Sequence, residues 1–375
     1  MGRGRRAIRV CVAGGGNGGF ATAGELTLRG FDVRLFEVPE FAETIEEVKA
    51  AGGITVEIAD QATKLPSGKA MPKVITTNVK EAIAGADLIL VVVPSFAHER
   101  FAQEIAKALQ PGQAVVISPS NPGGAPCFDR ALTHYGAPSG IVVGEMACLI
   151  YGCRKTSQSG VKIFAIKKGL HVAAFPSSNN KELHGLLSQI YPDVILAKNI
   201  MVTGLCNVNT VSHPTITLLN LGRVEDTKGE FYFYYQGCTP SVSRLVEAMD
   251  QERIAVGRAF GLDLPPTWKL VRDWYDPYGA SGSSIYEVDH TNRAYAIGEA
   301  PRSINDRYIT EDIPYGLVPL TELGDCAGVA TPCIDALIRI GCTVAGQDFV
   351  SNGRRLSDIG WDNLSVPQIL ERVDR

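Results

Sequence analysis

Ile8-Arg9-Val10-Cys11-Val12-Ala13-Gly14-Gly15-Gly16-Asn17-Gly18-Gly19 is an apolar run that ends in a burst of glycines. Its pattern predicts a short buried strand turning tightly into a helix. Gly14, Gly16 and Gly19 fit G-x-G-x-x-G: the first glycine permits the turn, the second lets backbone approach a pyrophosphate, and the third lets helix pack on strand. Phosphate would sit at the helix N-terminus, where unpaired N–H groups and the helix dipole favour negative charge. A glycine-rich surface turn can show the same pattern, so the surroundings decide. Residues 21–30 read as a helix closed by glycine, and residues 32–37 as the next strand. Glu37 ends that strand, about 20 residues past the loop, where an acid accepts hydrogen bonds from an adenosine ribose. Strand, glycine loop, helix, strand and acid together predict dinucleotide binding. The carboxylate, with no base directly after it, favours NAD(H); Arg34 nearby leaves NADP(H) admissible.

The chain has 375 residues, 45% hydrophobic and 20% charged, a length at which two domains are expected. A net charge of −4 gives no electrostatic footprint for nucleic acid. The basic opening Gly2-Arg3-Gly4-Arg5-Arg6 reads as a solvated tail. The glycine loop just after that tail lacks a signal peptide's apolar core and cleavage site, and no later segment has the roughly 18 apolar residues of a membrane span. Nine cysteines without a C-x-x-C pair point to reduced thiols in a cytoplasmic enzyme. His134, His171 and His184 have no metal-ligand spacing and read as surface or packing residues, so no metal is expected.

Along the first half, residues 41–51 read as a surface helix, and 54–58 and 73–77 as strands separated by a polar insertion. Residues 86–94 form a continuous apolar strand of the kind buried on both faces of a parallel sheet. It ends in Pro94-Ser95-Phe96-Ala97-His98, at the strand edge where open α/β sheets bind ligands. Phe96 is expected to flank the cofactor, and His98 to begin the helix at 99–109. A strand at 114–118 leads to a loop whose Asn121 approaches the nicotinamide half. Further strands at 141–145, 162–167, 170–175 and 195, with a helix at 177–191, continue the alternation. The expected fold is α/β: a doubly wound parallel sheet of the Rossmann type over residues 1–198, then a mainly α-helical domain over 199–375 that covers the cleft. Thr239-Pro240, Thr331-Pro332 and Ser365-Val366-Pro367 mark helix starts in that second half.

Two stretches break its routine. Cys206-Asn207-Val208-Asn209-Thr210-Val211-Ser212-His213-Pro214 sets polar groups among apolar flanks, and Asn305-Asp306-Arg307-Tyr308-Ile309-Thr310-Glu311-Asp312-Ile313-Pro314-Tyr315-Gly316 is dense in charge. On residue types alone, a packed histidine and a solvated turn remain as open as a catalytic site.

These motifs, with the glycine loop, Val93-Pro94-Ser95-Phe96-Ala97-His98 and the loop at Asn121, resemble the octopine and nopaline dehydrogenase family over nearly the full chain. Members condense an amino acid with an α-keto acid such as pyruvate and reduce the imine with NADH or NADPH. The resemblance implies His213 as general acid/base with Asp312 as its partner, Arg307 on the keto acid carboxylate, and Asn209 beside the substrate. A carboxylate on one imidazole nitrogen fixes the tautomer and favours the protonated ring, and arginine offers a two-point fork for carboxylate. It also implies Gly14, Gly16, Asn17, Gly18, Gly19, Glu37, Pro94, Phe96 and Asn121 as the cofactor's contacts. Glu145 and Cys153-Arg154 resemble a segment in which a glutamate and a cysteine face the amino substrate, although here the intervening stretch is longer. The implied partners are an amino acid and a keto acid, with no membrane and no nucleic acid, and a homodimer is compatible.

Two other readings remain. A ketopantoate-reductase-like enzyme would rely on a lysine in the helical half, where Lys228 and Lys269 lie in no matching motif. A nucleotide-sensing protein would bind dinucleotide without turnover.

Overall fold

A computed structural model describes residues 7–375; the basic opening lies outside the described residues. Twelve strands are described: β1 (Arg9–Ala13), β2 (Asp32–Phe36), β3 (Ile54–Ile58), β4 (Gly68–Ala70), β5 (Val74–Thr76), β6 (Leu88–Val91), β7 (Ala114–Ile117), β8 (Val142–Met146), β9 (Tyr151–Ser157), β10 (Gly160–Ile166), β11 (His171–Phe175) and β12 (Ile195–Leu196). Eight form one sheet in the order β12-β11-β8-β7-β6-β1-β2-β5. Its neighbours run parallel except β8 and β11. β6 and β7 are buried at every position, as their unbroken Leu, Ile and Val runs require of strands covered on both faces. The order grows outward in both directions from the β1/β6 pair, so a crevice opens at the carboxyl ends of those strands, where the glycine loop stands.

The doubly wound sheet is smaller than the sequence pattern predicts. The strands expected at 54–58 and 162–167 leave it and pair with each other, parallel, in a second sheet ordered β4-β3-β10-β9. Their alternation accounts for this: Ile54 and Val56 are buried while Thr55 and Glu57 are exposed, the signature of a sheet with one wet face. β4 falls in the stretch read as a polar insertion, and β9 between the strands expected at 141–145 and 162–167, where no strand was expected. The second sheet lies over the helix Asn17–Leu28, whose start is the glycine loop, and so brings Cys153, Arg154 and Lys155 of β9 beside that loop.

After Leu196 the described elements are helical, apart from an isolated bridge between Tyr232 and Glu299. Thr239 caps the helix Pro240–Ala259, accepting from Val242 N, and Ser365 forms a capping box on Val366–Asp374. The 305–316 stretch is not a solvated turn. It forms the short helix Arg307–Thr310 and then a π-helical turn, Asp312–Leu317, with Asp312, Ile313, Pro314, Gly316 and Leu317 buried. No helix among the described residues is long and apolar enough to cross a membrane.

Candidate active site

The glycine loop has the shape a dinucleotide needs. Gly14 sits at φ +121°, and a Cβ there would lie 2.6 Å from the Val92 carbonyl oxygen; one on Gly19 would lie 1.8 Å from the Gly14 oxygen. These two glycines let strand, loop and helix pack, whereas Gly16 faces open space with nothing within 4 Å, the surface a pyrophosphate would approach. Glu37 turns inward on the loop: Oε2 accepts from Gly15 N at 2.6 Å and Oε1 from Val38 N at 2.8 Å. Burial pushes its carboxyl up, against those two donors. A carboxylate accepts about four hydrogen bonds, so Glu37 keeps lone pairs beyond these two donors. Arg34 is spent elsewhere, donating to the Glu81 and Ala84 carbonyls at 3.0 and 2.6 Å, and is not free to hold a ribose phosphate.

Three residues assigned to ligands also bond the protein itself. The Asn17 side chain accepts from Lys155 N at 2.8 Å, and its carbonyl accepts from Cys153 Sγ at 3.4 Å, so it anchors β9 to the loop. Asn121 donates to Ser95 Oγ at 3.1 Å and accepts from Asn207 and Thr210, pinning the loop after β7 to the helical half. Glu145, 1% exposed, points away from the substrate pocket. It accepts from Ser120 Oγ at 2.6 Å, from Ala125 N at 2.9 Å in the first turn of the helix Gly124–His134, and from Thr203 Oγ1. Motif likeness gave the residue type, but the carboxylate is taken up by the protein's own donors.

His213 and Asp312 do meet. His213 lies mid-way along the helix Asn209–Leu219, and Asp312 opens the π turn packed against it. Close approach depends on Gly316, where a Cβ would lie 2.7 Å from Thr210 Cγ2. His213 Nδ1 is 2.9 Å from Asp312 Oδ2, and Nε2 is 3.0 Å from the Tyr234 hydroxyl. The ring stacks on Tyr308 with centroids 3.8 Å apart. Burial, with the Arg307 charge beside it, holds the imidazole well below its usual range, and burial pushes the Asp312 carboxyl up to about 7. The expectation that the carboxylate alone would favour a protonated ring is thereby corrected: desolvation outweighs it in the resting site. Burial also keeps Tyr234 protonated. The network therefore assigns a neutral ring with Nδ1–H donating to Asp312 and Tyr234 O–H donating to Nε2.

Nε2 faces a pocket of about 320 Å³ between the two halves of the chain. Arg307 reaches it with a side chain 42% exposed, its nearest carboxylate, Glu311, 3.9 Å away. Asn209, which donates to Cys148 Sγ at 3.6 Å, and Cys153 also line it. Glu311 in turn accepts from Ser95 N at 2.8 Å and ties the Arg307 segment to the loop after β6. Phe96, 54% exposed, lines a separate cleft with His98 and Tyr315.

Sequence reasoning missed Tyr234, Tyr295, Cys148 and Lys167, all on the pocket wall. The five consecutive aromatics Phe231-Tyr232-Phe233-Tyr234-Tyr235 were a readable signal for the first. The lysines weighed for a keto acid reductase are elsewhere: Lys228 ends the helix Leu221–Thr227 in a left-handed conformation, and Lys269 pairs with Asp273 on the surface.

Known proteins agree with this architecture. Residues 196–345 match the family model of the NAD/NADP octopine/nopaline dehydrogenase α-helical domain, and residues 9–119 that of the NAD-dependent glycerol-3-phosphate dehydrogenase N-terminus. Opine dehydrogenase of Arthrobacter sp. (strain 1C) is 36% identical over 364 residues, covering 97% of this chain and 98% of that one. Octopine dehydrogenase of Mizuhopecten yessoensis is 30% identical, covering 92% of each. The structure of octopine dehydrogenase in complex with NADH and agmatine superposes with a TM-score of 0.76 at 25% identity, over 97% of this chain and 98% of that one. A ketopantoate reductase from Ralstonia eutropha shares the fold, with a TM-score of 0.61 at 17% identity, 90% of this chain and 99% of that one being covered. With a glycine loop shaped for a dinucleotide, a buried His–Asp pair facing the inter-half pocket and relatives matched over more than nine-tenths of their length, this chain belongs to the opine dehydrogenase family of NAD(P)-dependent oxidoreductases.

Proposed function

We propose that the pocket joins an amino acid to an α-keto acid reductively, with His213 moving the proton, Asp312 holding the ring and Arg307 binding the keto acid carboxylate. The 2.9 Å contact between His213 and Asp312, made at the wall of a pocket that Arg307 also lines, carries this reading. Condensation expels the carbonyl oxygen as water, and reduction of the imine to a secondary amine takes up one proton for each hydride. In the resting ring the Tyr234 hydroxyl holds the unprotonated Nε2; once substrate takes that hydroxyl's place, Nε2 takes up a proton from solvent and gives it to the forming amine. While the ring is charged, Asp312 stabilises it across a contact closed to solvent.

Arg307 links binding to protonation. Its charge depresses the imidazole, so a keto acid carboxylate that neutralises the guanidinium raises the ring's proton affinity when the acid is needed. The same cationic surroundings favour the neutral, nucleophilic form of the substrate amine.

The bound dinucleotide supplies the hydride. Gly14, Gly16, Gly18 and Gly19 would hold its pyrophosphate, Glu37 its adenosine ribose, and Pro94 would flank it. NAD(H) is the preferred form, because Glu37 stands at the ribose position while Arg34 is tied to carbonyls. The dinucleotide domain ends near residue 198 on this reading, where strands give way to helices. Nine free cysteines suit a reducing, cytoplasmic location.

The test is NADH oxidation across amino acids paired with pyruvate and glyoxylate. Turnover that requires both substrates supports imine reduction, whereas consumption of NADH with the keto acid alone would make the protein a keto acid reductase.

A further inference from the structure

The charges on the pocket wall are unbalanced. Arg154, Lys155, Lys162, Lys167 and Arg307 line it against a single carboxylate, Glu299. Some of this charge is engaged locally: Lys155 leans over the Phe20 ring at 4.1 Å, and Arg154 lies 3.9 Å from Glu299. Lys162 stands opposite Arg154 in the β9–β10 register and opposite Glu57 in the β3–β10 register. Lys167 is different. It is 8% exposed, donates to the Leu149 carbonyl at 2.6 Å, hydrogen-bonds the Tyr275 side chain, whose ring centre is 5.4 Å away, and is in no ion pair among the described residues.

A buried ammonium without a counter-ion is costly, and it persists where a ligand supplies the missing charge. The product of the reaction proposed above carries at least two carboxylates, one from each substrate. Arg307 takes one, and Lys167, on the first half of the chain, is a cation for the other. With both neutralised and Arg154 beside Glu299, Lys162 remains on the wall in no ion pair among the described residues, its strand neighbour Glu57 lying off the pocket lining, so the wall attracts a third carboxylate and repels a guanidinium or ammonium side chain.

We propose that Lys167 binds the α-carboxylate of the amino substrate and that the pocket selects an amino acid with an acidic side chain. This rests on the opine-forming reading of the site and names the substrate class within it.

The experiment compares kcat/KM for glutamate with glutamine, aspartate with asparagine, and arginine, all with pyruvate and NADH. The acid of each isosteric pair is expected to exceed its amide by about 10-fold or more, the size of one charge-assisted contact, with arginine poorest. In Arg154→Gln/Lys162→Gln the acid-to-amide ratio should fall toward one. Lys167→Met should raise the KM of glutamate and glutamine alike by about 10- to 100-fold while retaining NADH binding, and Lys167→Arg should recover part of that loss. Preference for amides, for arginine, or for a dicarboxylic keto acid with a neutral amino acid would overturn this inference alone. Turnover with no amino acid at all would overturn the opine-forming reading and this inference together. Because the wild-type ratios need no variant, the proposal stays open to refutation even if Lys167→Met does not fold.

Discussion

Replacing Asp312 by asparagine keeps the shape of the side chain and removes the charge that the reaction needs. Asp312 Oδ2 lies 2.9 Å from His213 Nδ1, and the two side chains are 6% and 4% exposed, so solvent cannot substitute for the carboxylate. With charge centres about 4 Å apart and an effective dielectric constant of about 20, the carboxylate stabilises an imidazolium by roughly 4 kcal/mol. That corresponds to a loss on the order of 10³-fold in kcat for Asp312→Asn. Asparagine can also turn its N–H₂ toward Nδ1, which would move the ring proton to Nε2 and spoil the tautomer.

The pH profile gives a second reading of the same variant. In the reductive direction His213 must be protonated, so activity falls as pH rises through the pKa of the His–Asp unit. Burial already holds the ring low; without the carboxylate, the falling limb should move to still lower pH. The assay is steady-state NADH oxidation from acid to alkaline pH, with cofactor binding and Tm measured alongside to show an intact fold. A kcat within about threefold of wild type, or an unmoved limb, would refute the proton-donor assignment.

Other substitutions address the rest of the site. Arg307→Lys should chiefly raise the keto acid KM, by about 10-fold or more, because one point charge replaces a two-point fork; an unchanged value would remove Arg307 from the site. Glu37→Ser should shift the kcat/KM ratio toward NADPH, with Lys155 beside the freed position, and an unchanged ratio would mean that the ribose is held elsewhere. Asp289 tests the electrostatics of the helical half, since burial pushes its carboxyl up to about 7. A raised carboxyl stabilises the fold while protonated, and that contribution is lost as pH climbs from the unfolded value of about 4 through about 7. Asp289→Asn should therefore reduce the fall in Tm over that window, and a variant with the same pH dependence as wild type would contradict the assignment.

The glycine loop was legible because each glycine answers a local need: φ +121° at Gly14, contact at Gly19 and an open face at Gly16. The buried strands were legible for a similar reason, since unbroken apolar runs such as Leu88–Val91 admit little else. The second sheet was obscured because β4 has three residues and β9 is polar along its exposed side, although the alternation in β3 distinguished it from a doubly covered strand. Asp312 and Glu311 look like solvated charges in a linear string. Their burial depends on a π turn packed on a helix almost a hundred residues earlier, a pairing that local pattern does not encode. Glu145 and Asn121 illustrate the converse, in which a polar residue at a motif position satisfies buried backbone and side-chain partners. Lys167 had no motif to mark it, because its significance comes from the missing counter-ion.

The most direct measurement is a crystal structure of the ternary complex with dinucleotide and the secondary-amine product. The account predicts the product nitrogen within about 3 Å of His213 Nε2, the Tyr234 hydroxyl displaced from that atom, and the keto-derived carboxylate on Arg307. A product nitrogen out of reach of the imidazole, with Tyr234 still bonded to Nε2, would contradict it.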